Sequence, residues 1–249
     1  MNEQDWDRVA KRFEQEIFNV PANDRKGLIA AAVKQYARNN GVAFDIGCGT
    51  GRTIALLAQH FGTVLGFDVS RECLAIAAHK NRMFRNATFH YADLVKTALP
   101  KPAADFALCI NTLLLADHRR RGRMISNVCD AVRKGGHLAL VVPSIESVLL
   151  THARHAEWQE RNVGRRRVPT PESGNPTGAD VLRGIVRIDN APTKHYSADE
   201  LRSVLAMHGM KVQNVEKIDY PWSTEFERPP RWIGAPYPWD WLFLAQRVS

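Results

Sequence analysis

The first part of the chain has apolar residues at a helical spacing. In residues 3–20 they recur three or four positions apart, which predicts one amphipathic helix. A second helix is predicted from about Arg25 to Asn39, because the segment Asn39-Asn40-Gly41 is a typical helix stop signal. Both predicted helices precede the first apolar strand of the chain.

From residue 42 onward, short apolar segments alternate with helical patterns. The segments are almost continuously apolar, and strands of that kind are typical of a parallel sheet covered by helices on both faces. The predicted strands are 42–46, 63–67, 87–91, 105–110 and 137–142. The predicted helices between them are 52–60, 71–80 and 118–133.

The alternation stops after the fifth predicted strand. Residues 144–194 are rich in Arg, His, Pro and Gly and are interpreted as an insertion. Ser197 and Glu200 then predict a helix that starts with a capping box, in which each side chain bonds the other residue's backbone N–H. The last two strands, 211–220 and 239–247, are joined by a loop without a helical pattern, so we expect an antiparallel hairpin.

These elements predict an α/β fold. We expect a doubly wound, seven-stranded, mostly parallel sheet with an antiparallel terminal hairpin and helices on both faces. The 249 residues are interpreted as a single domain with four segments. The segments are an N-terminal helical cap at 1–40, a cofactor-binding core at 41–143, an inserted lid at 144–195, and a helix with the terminal hairpin at 196–249.

Composition restricts the cellular compartment and the classes of partner that we expect. No run of residues approaches the roughly 20 consecutive apolar positions of a membrane span, and the first residues are polar and acidic, unlike a signal peptide. The four cysteines are widely spaced and follow no disulfide or zinc pattern. We therefore expect a cytoplasmic protein without a metal site. The net charge of +8 leaves an anionic partner, including nucleic acid, as an open alternative.

A glycine-rich turn follows the first predicted strand. Glycines permit unusual backbone angles and let a ligand approach the chain closely. Dinucleotide folds usually use the spacing G-x-G-x-x-G to bind a pyrophosphate. This chain instead has Gly47-x-Gly49-x-Gly51, with Asp45 two residues before the first glycine. Because a carboxylate there repels a pyrophosphate and attracts a cation, the turn predicts a site for a cationic cofactor.

Five elements, in order, resemble those of class I S-adenosylmethionine-dependent methyltransferases. The segment Asp45 to Gly51 is similar to the family's first motif, whose loop lies against the methionine part of the cofactor. Asp68 matches the acid that receives both ribose hydroxyls, and Ala92-Asp93-Leu94 is similar to the element that holds the adenine. Asp105 to Asn111 resembles the family's fourth-strand motif, whose end lies beneath the reactive methyl. Val132 to Leu138 resembles the family's turn before strand five.

The resemblance implies S-adenosylmethionine as the cofactor and a set of residues that bind it. That set is Asp45, Gly47, Cys48, Gly49, Gly51, Asp68, Val69, Ala92, Asp93, Leu94 and Asn111. It also implies transfer of a methyl group by in-line displacement. A sulfonium methyl is already activated, so alignment and exclusion of water are the main tasks and a dedicated acid or base is optional.

The general base, if one is used, stays open at this point. His195, Tyr196 and His118 are the candidates, because they follow predicted strands at the edge where open α/β sheets bind ligands. A packing role before the Ser197 cap is the alternative interpretation of His195. The alternative interpretation of His118 is the first residue of a solvated helix.

Aromatic residues and arginines are the candidates for binding the acceptor. Trp222 and Trp232 lie in the loop of the terminal hairpin, where aromatic rings offer large contact areas, although packing is the alternative. Arg119 belongs to a run of arginines at a helix start, where the helix dipole disfavours positive charge. That run and Arg165–Arg167 suit an anionic acceptor group, and a solvated basic face is the alternative.

Other functional classes were weighed against a small-molecule methyltransferase. A methyltransferase of RNA or other nucleic acid fits the charge, but the Asp/Asn-Pro-Pro-aromatic motif common in such enzymes is replaced by Asn111-Thr112-Leu113-Leu114. A non-catalytic cofactor-binding partner protein would keep the same pocket. A nicotinamide oxidoreductase is disfavoured by Asp45 and the glycine spacing. The sequence therefore predicts an S-adenosylmethionine-dependent methyltransferase acting on a small-molecule acceptor, of undetermined oligomeric state.

Overall fold

The computed structural model describes residues 3–100, 104–162, 168–171, 178–188 and 191–248. Its strands are β1 (Arg38–Ile46), β2 (Phe61–Asp68), β3 (Ala87–Tyr91), β4 (Ala104–Ile110), β5 (Val132–Pro143), β6 (Ile185–Ile188), β7 (Ala191–Lys194), β8 (Met210–Asp219) and β9 (Trp239–Arg247). Its α-helices are α1 (Glu3–Ala10), α2 (Phe13–Glu16), α3 (Val20–Asn23), α4 (Leu28–Gln35), α5 (Ile54–Ala58), α6 (Arg71–Lys80), α7 (His118–Ala131), α8 (Ile145–Arg161), α9 (Gly178–Leu182) and α10 (Ala198–Met207).

The main sheet has seven strands in the order β3-β2-β1-β4-β5-β9-β8. The first five of these pair in parallel, whereas β9 is antiparallel to both β5 and β8. The predicted fold class is confirmed, and the last two strands pair antiparallel as expected. The strand order reverses between β1 and β4, so the loops after these two strands meet at a topological switch point.

Two apolar cores cover the faces of the sheet. Side chains of β5 alternate between them: Leu138 and Leu140 enter one core, and Ala139 and Val141 the other. The first core includes residues of α7 and α10, and the second includes residues of α4 and α5. Because every strand in the centre is buried on both sides, its sequence is a continuous apolar run, which is why periodicity located these strands.

The single helix predicted over residues 3–20 is wrong. The chain forms α1, α2 and α3, and it is extended at Ile17, with φ −103° and ψ 120°. Asn19 then caps α3 by accepting a hydrogen bond from the Ala22 N–H. The break leaves the carbonyls of Ile17 and Phe18 available to accept hydrogen bonds from Arg52. A tertiary contact therefore decides the local structure against the helical pattern.

The segment interpreted as an insertion contains the long helix α8 and the small hairpin of β6 and β7. Ser144 caps α8, because its Oγ accepts from the Ser147 N–H at 3.0 Å. The buried face of α8 includes Val148 and Thr151, and polar residues between such positions obscured the helical spacing in the sequence. The arginine run Arg165–Arg167 lies outside the described residues.

The predicted capping box before α10 forms only in half. Ser197 Oγ accepts from the Glu200 N–H at 3.2 Å, as expected. The Glu200 carboxylate does not return to the Ser197 N–H; it accepts a hydrogen bond from Lys194 Nζ at 2.7 Å instead. The Lys194 side chain is only 2% exposed, so its buried ammonium needs this counter-charge.

Three further observations concern the described residues. None of their helices combines the length and the apolar character that crossing a bilayer requires. The four cysteines Cys48, Cys73, Cys109 and Cys129 are free thiols, and all are buried. Among the same residues, no three His, Cys, Asp or Glu side chains are grouped in a way that could hold a metal ion.

Candidate active site

A cleft of about 1650 Å³ lies at the carboxyl ends of the central strands. Open α/β sheets place their ligands at this edge. The loops after β1, β2, β3 and β4, the N-terminal helices, the start of α8 and the start of β9 all contribute to its walls. Of the predicted cofactor residues, those that line the cleft are Asp45, Gly47, Cys48, Gly49, Asp68, Val69, Ala92, Asp93, Leu94 and Asn111.

The turn after β1 can hold only glycine at Gly47. Its φ is +76°, and a Cβ built there would lie 2.0 Å from Thr112 Oγ1. Thr112 cannot move freely, because its hydroxyl donates to the Ile46 carbonyl at 3.1 Å. The N–H groups of Gly47 and Cys48 both donate to the Phe67 carbonyl. The turn is thus anchored to both neighbouring strands and leaves the ligand space free of side chains.

Gly51 lies where the turn after β1 meets the end of α6. Its φ is +79°, and it packs against Ala77 and Asn81 at the end of α6. The Asn81 side chain donates to the Gly51 carbonyl at 3.2 Å. Gly51 is not among the described residues that line the cleft. Cofactor binding by Gly51 stays a prediction, and in the structure this glycine allows α6 to approach the turn.

Asp68 ends β2 with its carboxylate held in place by the backbone. Oδ1 accepts from the Ser70 N–H at 2.9 Å, and Oδ2 accepts from the Gly49 N–H at 2.8 Å. A carboxylate has about four lone-pair positions, so two positions stay available to a ligand. Burial raises the pKa of Asp68, and the backbone hydrogen bonds oppose that rise. This geometry suits two neighbouring hydroxyl groups.

Asp93 follows β3 on the same wall. Its Oδ1 accepts from the Val95 N–H at 3.0 Å, and its Oδ2 lies 3.0 Å from Lys96 Nζ. Ala92 and Leu94, on either side, are buried apolar residues that line the cleft. A flat, mostly apolar group that offers one hydrogen-bond donor would fit this wall.

Asp45 is a buried carboxyl group at the end of β1. It is 3% exposed and accepts a hydrogen bond from Thr53 Oγ1. Burial raises its pKa to about 7, and the nearby charge of Asp68 adds to the rise. Among the described residues, no lysine or arginine pairs with Asp45. A cationic ligand in the cleft would favour the ionised form of this group.

Cys48 lies in the turn as a small buried side chain. It is 7% exposed, and burial together with the charges of Asp45 and Asp68 raises the pKa of its thiol. A thiol with a raised pKa stays protonated and is a poor nucleophile. Cys48 therefore contributes shape to the cleft wall.

Residues 13–18 are fixed over the turn by Arg52. Its guanidinium donates to the carbonyls of Phe13, Ile17 and Phe18 and to the Glu14 carboxylate. Glu14 also accepts from Lys80 Nζ at 2.7 Å and from Thr50 Oγ1 at 2.9 Å. Partial burial opposes ionisation, but the bonds from Lys80 and Thr50 and the charge of Arg52 lower the pKa of Glu14 to about 2. The N-terminal helices are thereby closed over the cleft.

Replacing Arg52 with alanine is expected to release this segment and to lower the free energy of unfolding by about 2–3 kcal/mol, because several bonds from a charged group are lost. Chemical denaturation measures the loss, and limited proteolysis within residues 10–28 measures the release. Arg119→Ala is the matched control, since Arg119 is exposed at the start of α7. Equal protease resistance in the two variants would contradict the assigned role of Arg52.

Sequence patterns missed a hydrogen-bonded group at the other end of the cleft. Asn111 has φ +47°, and its Nδ2 donates to Asp240 Oδ2 at 3.0 Å. The Tyr220 hydroxyl donates to the same oxygen, also at 3.0 Å. All three residues line the cleft. The signal for Asp240 was its position as an acidic residue in the otherwise apolar segment Trp239 to Ala245.

We call the part of the cleft lined by Asn111, Ser147, Thr151, His195, Tyr220 and Asp240 the acceptor end. His195 is 6% exposed there, and its Nδ1 lies 3.2 Å from the Thr193 carbonyl. Because a carbonyl only accepts, the hydrogen is on Nδ1 and the Nε2 lone pair is available. Burial lowers the pKa of His195 to about 4 and outweighs the Thr193 carbonyl, while the charge of Lys194 adds to the lowering.

The other two base candidates do not reach the cleft. Tyr196 is 1% exposed in the core, and its hydroxyl donates to the Leu113 carbonyl at 2.6 Å. Burial raises the pKa of Tyr196, so its hydroxyl stays protonated near neutral pH and is not available to accept a proton. His118 is exposed at the first position of α7. Both candidacies are therefore corrected.

The predicted acceptor-binding residues also lie elsewhere. Arg119 is exposed, while Arg121 of the same run is buried and donates to the carbonyls of Leu115 and Ala116. Trp222 is buried and donates from Nε1 to the Gly234 carbonyl at 2.9 Å. Trp232 stacks on the Arg161 guanidinium, 4.2 Å from its ring centroid. Arg119, Trp222 and Trp232 are not among the described residues that line the cleft.

Comparison with known proteins adds an independent observation. Residues 43–136 match the family described as Methyltransferase domain. The matched segment is similar to methyltransferase domains, and the comparisons support the class I S-adenosylmethionine-dependent type. The match covers β1 to the start of β5 and thus includes the turn after β1, Asp68, Asp93 and Asn111. The predicted family and cofactor are confirmed.

Named relatives of the methyltransferase domain differ in their acceptors. A trans-aconitate 2-methyltransferase from Deinococcus radiodurans is 29% identical over 69% of this chain and 65% of its own length. An amino-sugar N,N-dimethyltransferase from Streptomyces fradiae is 36% identical over 26% of this chain and 25% of its own length. The aligned part is thus less than two thirds of either relative. The N-methyltransferase NodS from Bradyrhizobium japonicum, solved with S-adenosylhomocysteine, has the same fold, with TM-score 0.63, 11% identity and coverage of 99% and 98% of the two chains.

Proposed function

We propose that this protein transfers the methyl group of S-adenosylmethionine to a small-molecule acceptor. The observation that carries the proposal is one continuous cleft that joins the Asp45–Asp68–Asp93 wall to the acceptor end. Residues 13–18 lie over it and are held by Arg52. A covered cleft suits a small acceptor and excludes water from the reacting groups. A cytoplasmic location stays a prediction from the sequence.

The cofactor would be bound by groups that the turn and the strand ends supply. Asp68 would accept the two ribose hydroxyls on its remaining lone pairs, and Asp93 with its apolar neighbours would hold the adenine. Gly47 and Gly49 would let the methionine part approach the backbone, since neither carries a side chain. Asp45 would lie near the cationic end. Each group matches one part of the cofactor in shape or charge.

The chain's contribution to the reaction is mainly alignment. S-adenosylmethionine supplies an activated methyl group on a sulfonium. Asn111, at the end of β4, would orient the acceptor toward that methyl, held by Asp240 and Tyr220. The neutral His195 would accept a hydrogen bond on Nε2. With a pKa of about 4, His195 is a hydrogen-bond acceptor and a weak base near neutral pH.

Affinity for S-adenosylmethionine is expected to rise as the pH increases through about 7. Asp45 has a pKa raised to about 7, so below that pH the group is mainly protonated, and a bound sulfonium must displace the proton. S-adenosylhomocysteine lacks the sulfonium charge and should show a smaller change. We expect the affinity ratio of the two to grow about threefold to tenfold from about pH 6 to 8.

Calorimetric titration at several pH values measures that ratio. The variant Asp45→Asn cannot ionise at this position and keeps an acceptor for Thr53, so it should show a constant ratio. If the affinities for the two ligands change in parallel with pH in the unaltered protein, the charge of Asp45 does not interact with the sulfonium.

The function itself is tested by incubating the protein with methyl-labelled S-adenosylmethionine and mixtures of small metabolites, followed by mass spectrometry. Labelled small products and equimolar S-adenosylhomocysteine are expected. Label found only in added RNA or DNA would favour the nucleic-acid alternative. Cofactor binding without time-dependent S-adenosylhomocysteine formation would favour the non-catalytic alternative.

A further inference from the structure

Asp240 is a buried carboxyl group at the acceptor end. It is 8% exposed and lies at the start of β9, beside Pro143 of β5 in the sheet. Asn111 Nδ2 and the Tyr220 hydroxyl both donate to its Oδ2. The two neutral donors follow the ends of β4 and β8, so three parts of the fold, including β9, meet at this carboxyl. Such convergence fixes the position of Asp240 against the cleft.

The described residues supply no cation for Asp240. No lysine, arginine or histidine among them forms an ion pair with it, and burial raises its pKa. Arg52, which lines the cleft, binds Glu14 and the carbonyls of residues 13–18, and Arg120 also lines the cleft but forms no ion pair with Asp240. A buried carboxylate without a counter-charge is unfavourable, and a cationic ligand relieves that cost.

The side-chain amide of Asn111 can be oriented from its partner. A carboxylate only accepts, so Nδ2 must face Asp240 and Oδ1 must face away. Asn111 Oδ1 is buried and has no hydrogen-bond partner within the described residues. An amide oxygen in that state needs a donor. A carboxylate cannot satisfy it, because at neutral pH a carboxylate offers acceptors only.

Two more polar atoms at this end are also buried without a partner in the described part of the chain. They are Thr151 Oγ1, on a residue that is 0% exposed, and Trp239 Nε1, on a residue that is 7% exposed. Ser147 lies between the two residues, because its Oγ accepts from the backbone N–H of Trp239 at 2.8 Å, and Thr151 lies one helical turn further along α8. Thr151 and Trp239 both line the cleft. Unsatisfied buried polar atoms of this kind mark a place where a ligand completes the hydrogen bonding.

We infer that Asp240 and Asn111 bind an amino group, so that the acceptor class of this methyltransferase is a small amine. The inference rests on the proposed function and refines its substrate. The ammonium form binds the Asp240 carboxylate and donates to Asn111 Oδ1. For transfer, the amine loses a proton to solvent, its nitrogen lone pair forms the new N–C bond, and the C–S bond breaks with its electron pair left on sulfur. The methylated amine then leaves from the same end of the cleft.

The rings around this end fit the rest of such a molecule. Phe18 and Tyr220 meet edge to face with centroids 4.8 Å apart, and both line the cleft. Aromatic faces attract cations as well as apolar groups. The inferred amine is opposite in charge to the anionic acceptor expected from the arginine run at the start of α7 and from Arg165–Arg167. Of the first run, Arg120 lines the cleft and Arg119 does not, and the second run lies outside the described residues.

The test compares three probes of similar size: phenethylamine, phenethyl alcohol and phenylacetate. Each is titrated into the full chain saturated with S-adenosylhomocysteine, and binding is followed by calorimetry. We expect phenethylamine to bind about tenfold or more tightly than phenylacetate, the effect of one favourable charge contact. The variant Asp240→Asn, which keeps the size of the side chain, should remove that preference. Tyr220→Phe, which removes one donor to Asp240, should change it in part.

Asp199→Asn is the matched control, because Asp199 is an exposed carboxylate at the start of α10. It should keep the preference for the amine. Thermal unfolding of each variant checks that the fold is kept, and the Tyr220→Phe result stands if Asp240→Asn does not fold. Equal or tighter binding of phenylacetate, absence of amine binding, or an amine preference that survives Asp240→Asn would overturn the inference. Asp240→Asn could also bind S-adenosylhomocysteine more weakly while amine binding stays unchanged. That result would overturn the inference, because Asp240 would then belong to the cofactor site.

Failure of the two proposals is distinguishable. If phenethylamine binds through Asp240 but no acceptor is ever methylated, the amine site stands and the proposed activity fails. If labelled products form only on alcohols or acids, the activity stands and the amine inference fails.

Discussion

Replacing Asp68 with asparagine is expected to weaken S-adenosylmethionine binding by about 100-fold. The carboxylate accepts one backbone N–H on each oxygen and would accept the ribose hydroxyls on the remaining lone pairs. Asparagine turns one oxygen into an NH₂ group, which points a donor at another donor on one side. Losing hydrogen bonds to a charged group costs about 1.5–3 kcal/mol each, which corresponds to the expected loss in affinity.

Calorimetric titration with S-adenosylmethionine measures the effect of Asp68→Asn. The matched control is again Asp199→Asn, at an exposed carboxylate of α10, which should bind the cofactor like the unaltered protein. Thermal unfolding separates lost affinity from lost structure, because Asp68 also fixes the Gly49 N–H. If Asp68→Asn binds within about twofold of the unaltered protein, then Asp68 is not the residue that receives the ribose.

Replacing Gly47 with alanine is expected to lower the free energy of unfolding by about 2–3 kcal/mol and to abolish measurable cofactor binding. The φ of +76° costs an L-residue about 1–2 kcal/mol. The new methyl group would also lie 2.0 Å from Thr112 Oγ1, so Thr112 or the turn must shift. Either shift moves the backbone against which the cofactor would lie. Chemical denaturation and calorimetric titration measure the two effects.

Gly122 provides a matched glycine-to-alanine control. It lies in the interior of α7, and a Cβ built there meets no atom within 4 Å. Alanine is more favourable than glycine in a helix by about 0.5–1 kcal/mol, so Gly122→Ala should stabilise the protein and leave cofactor binding unchanged. Similar destabilisation by the two substitutions would contradict the special role of the turn after β1.

The main sheet could be predicted because the apolar character of each central strand is visible in the residues of that strand alone. A strand buried on both faces must be apolar along its whole length, and this property located β2 and β4 within about two residues of their observed bounds. The helical break near Ile17 could not be predicted in this way. Its cause is Arg52, which lies 34 residues beyond Phe18 in sequence and binds its carbonyl.

The two ends of the cleft also differ in how far they could be predicted from the sequence. Asp45, Asp68 and Asp93 each stand directly at or after the end of a strand, so their convergence follows from the parallel topology alone. The acceptor end depends on pairs such as Asn111 and Asp240, which are 129 residues apart. Gly51 illustrates the limit of a motif: it has the family spacing, yet its neighbours are Ala77 and Asn81 of the α6 end.

The cleft is proposed to bind S-adenosylmethionine through the turn after β1 and Asp68. Titration of the purified chain with S-adenosylmethionine and, separately, with NAD tests it most directly, because Asp45 and the glycine spacing favour a cation over a pyrophosphate. We expect saturable binding of S-adenosylmethionine at a single site and no binding of NAD. Binding of NAD with equal or higher affinity, or no binding of S-adenosylmethionine, would contradict it.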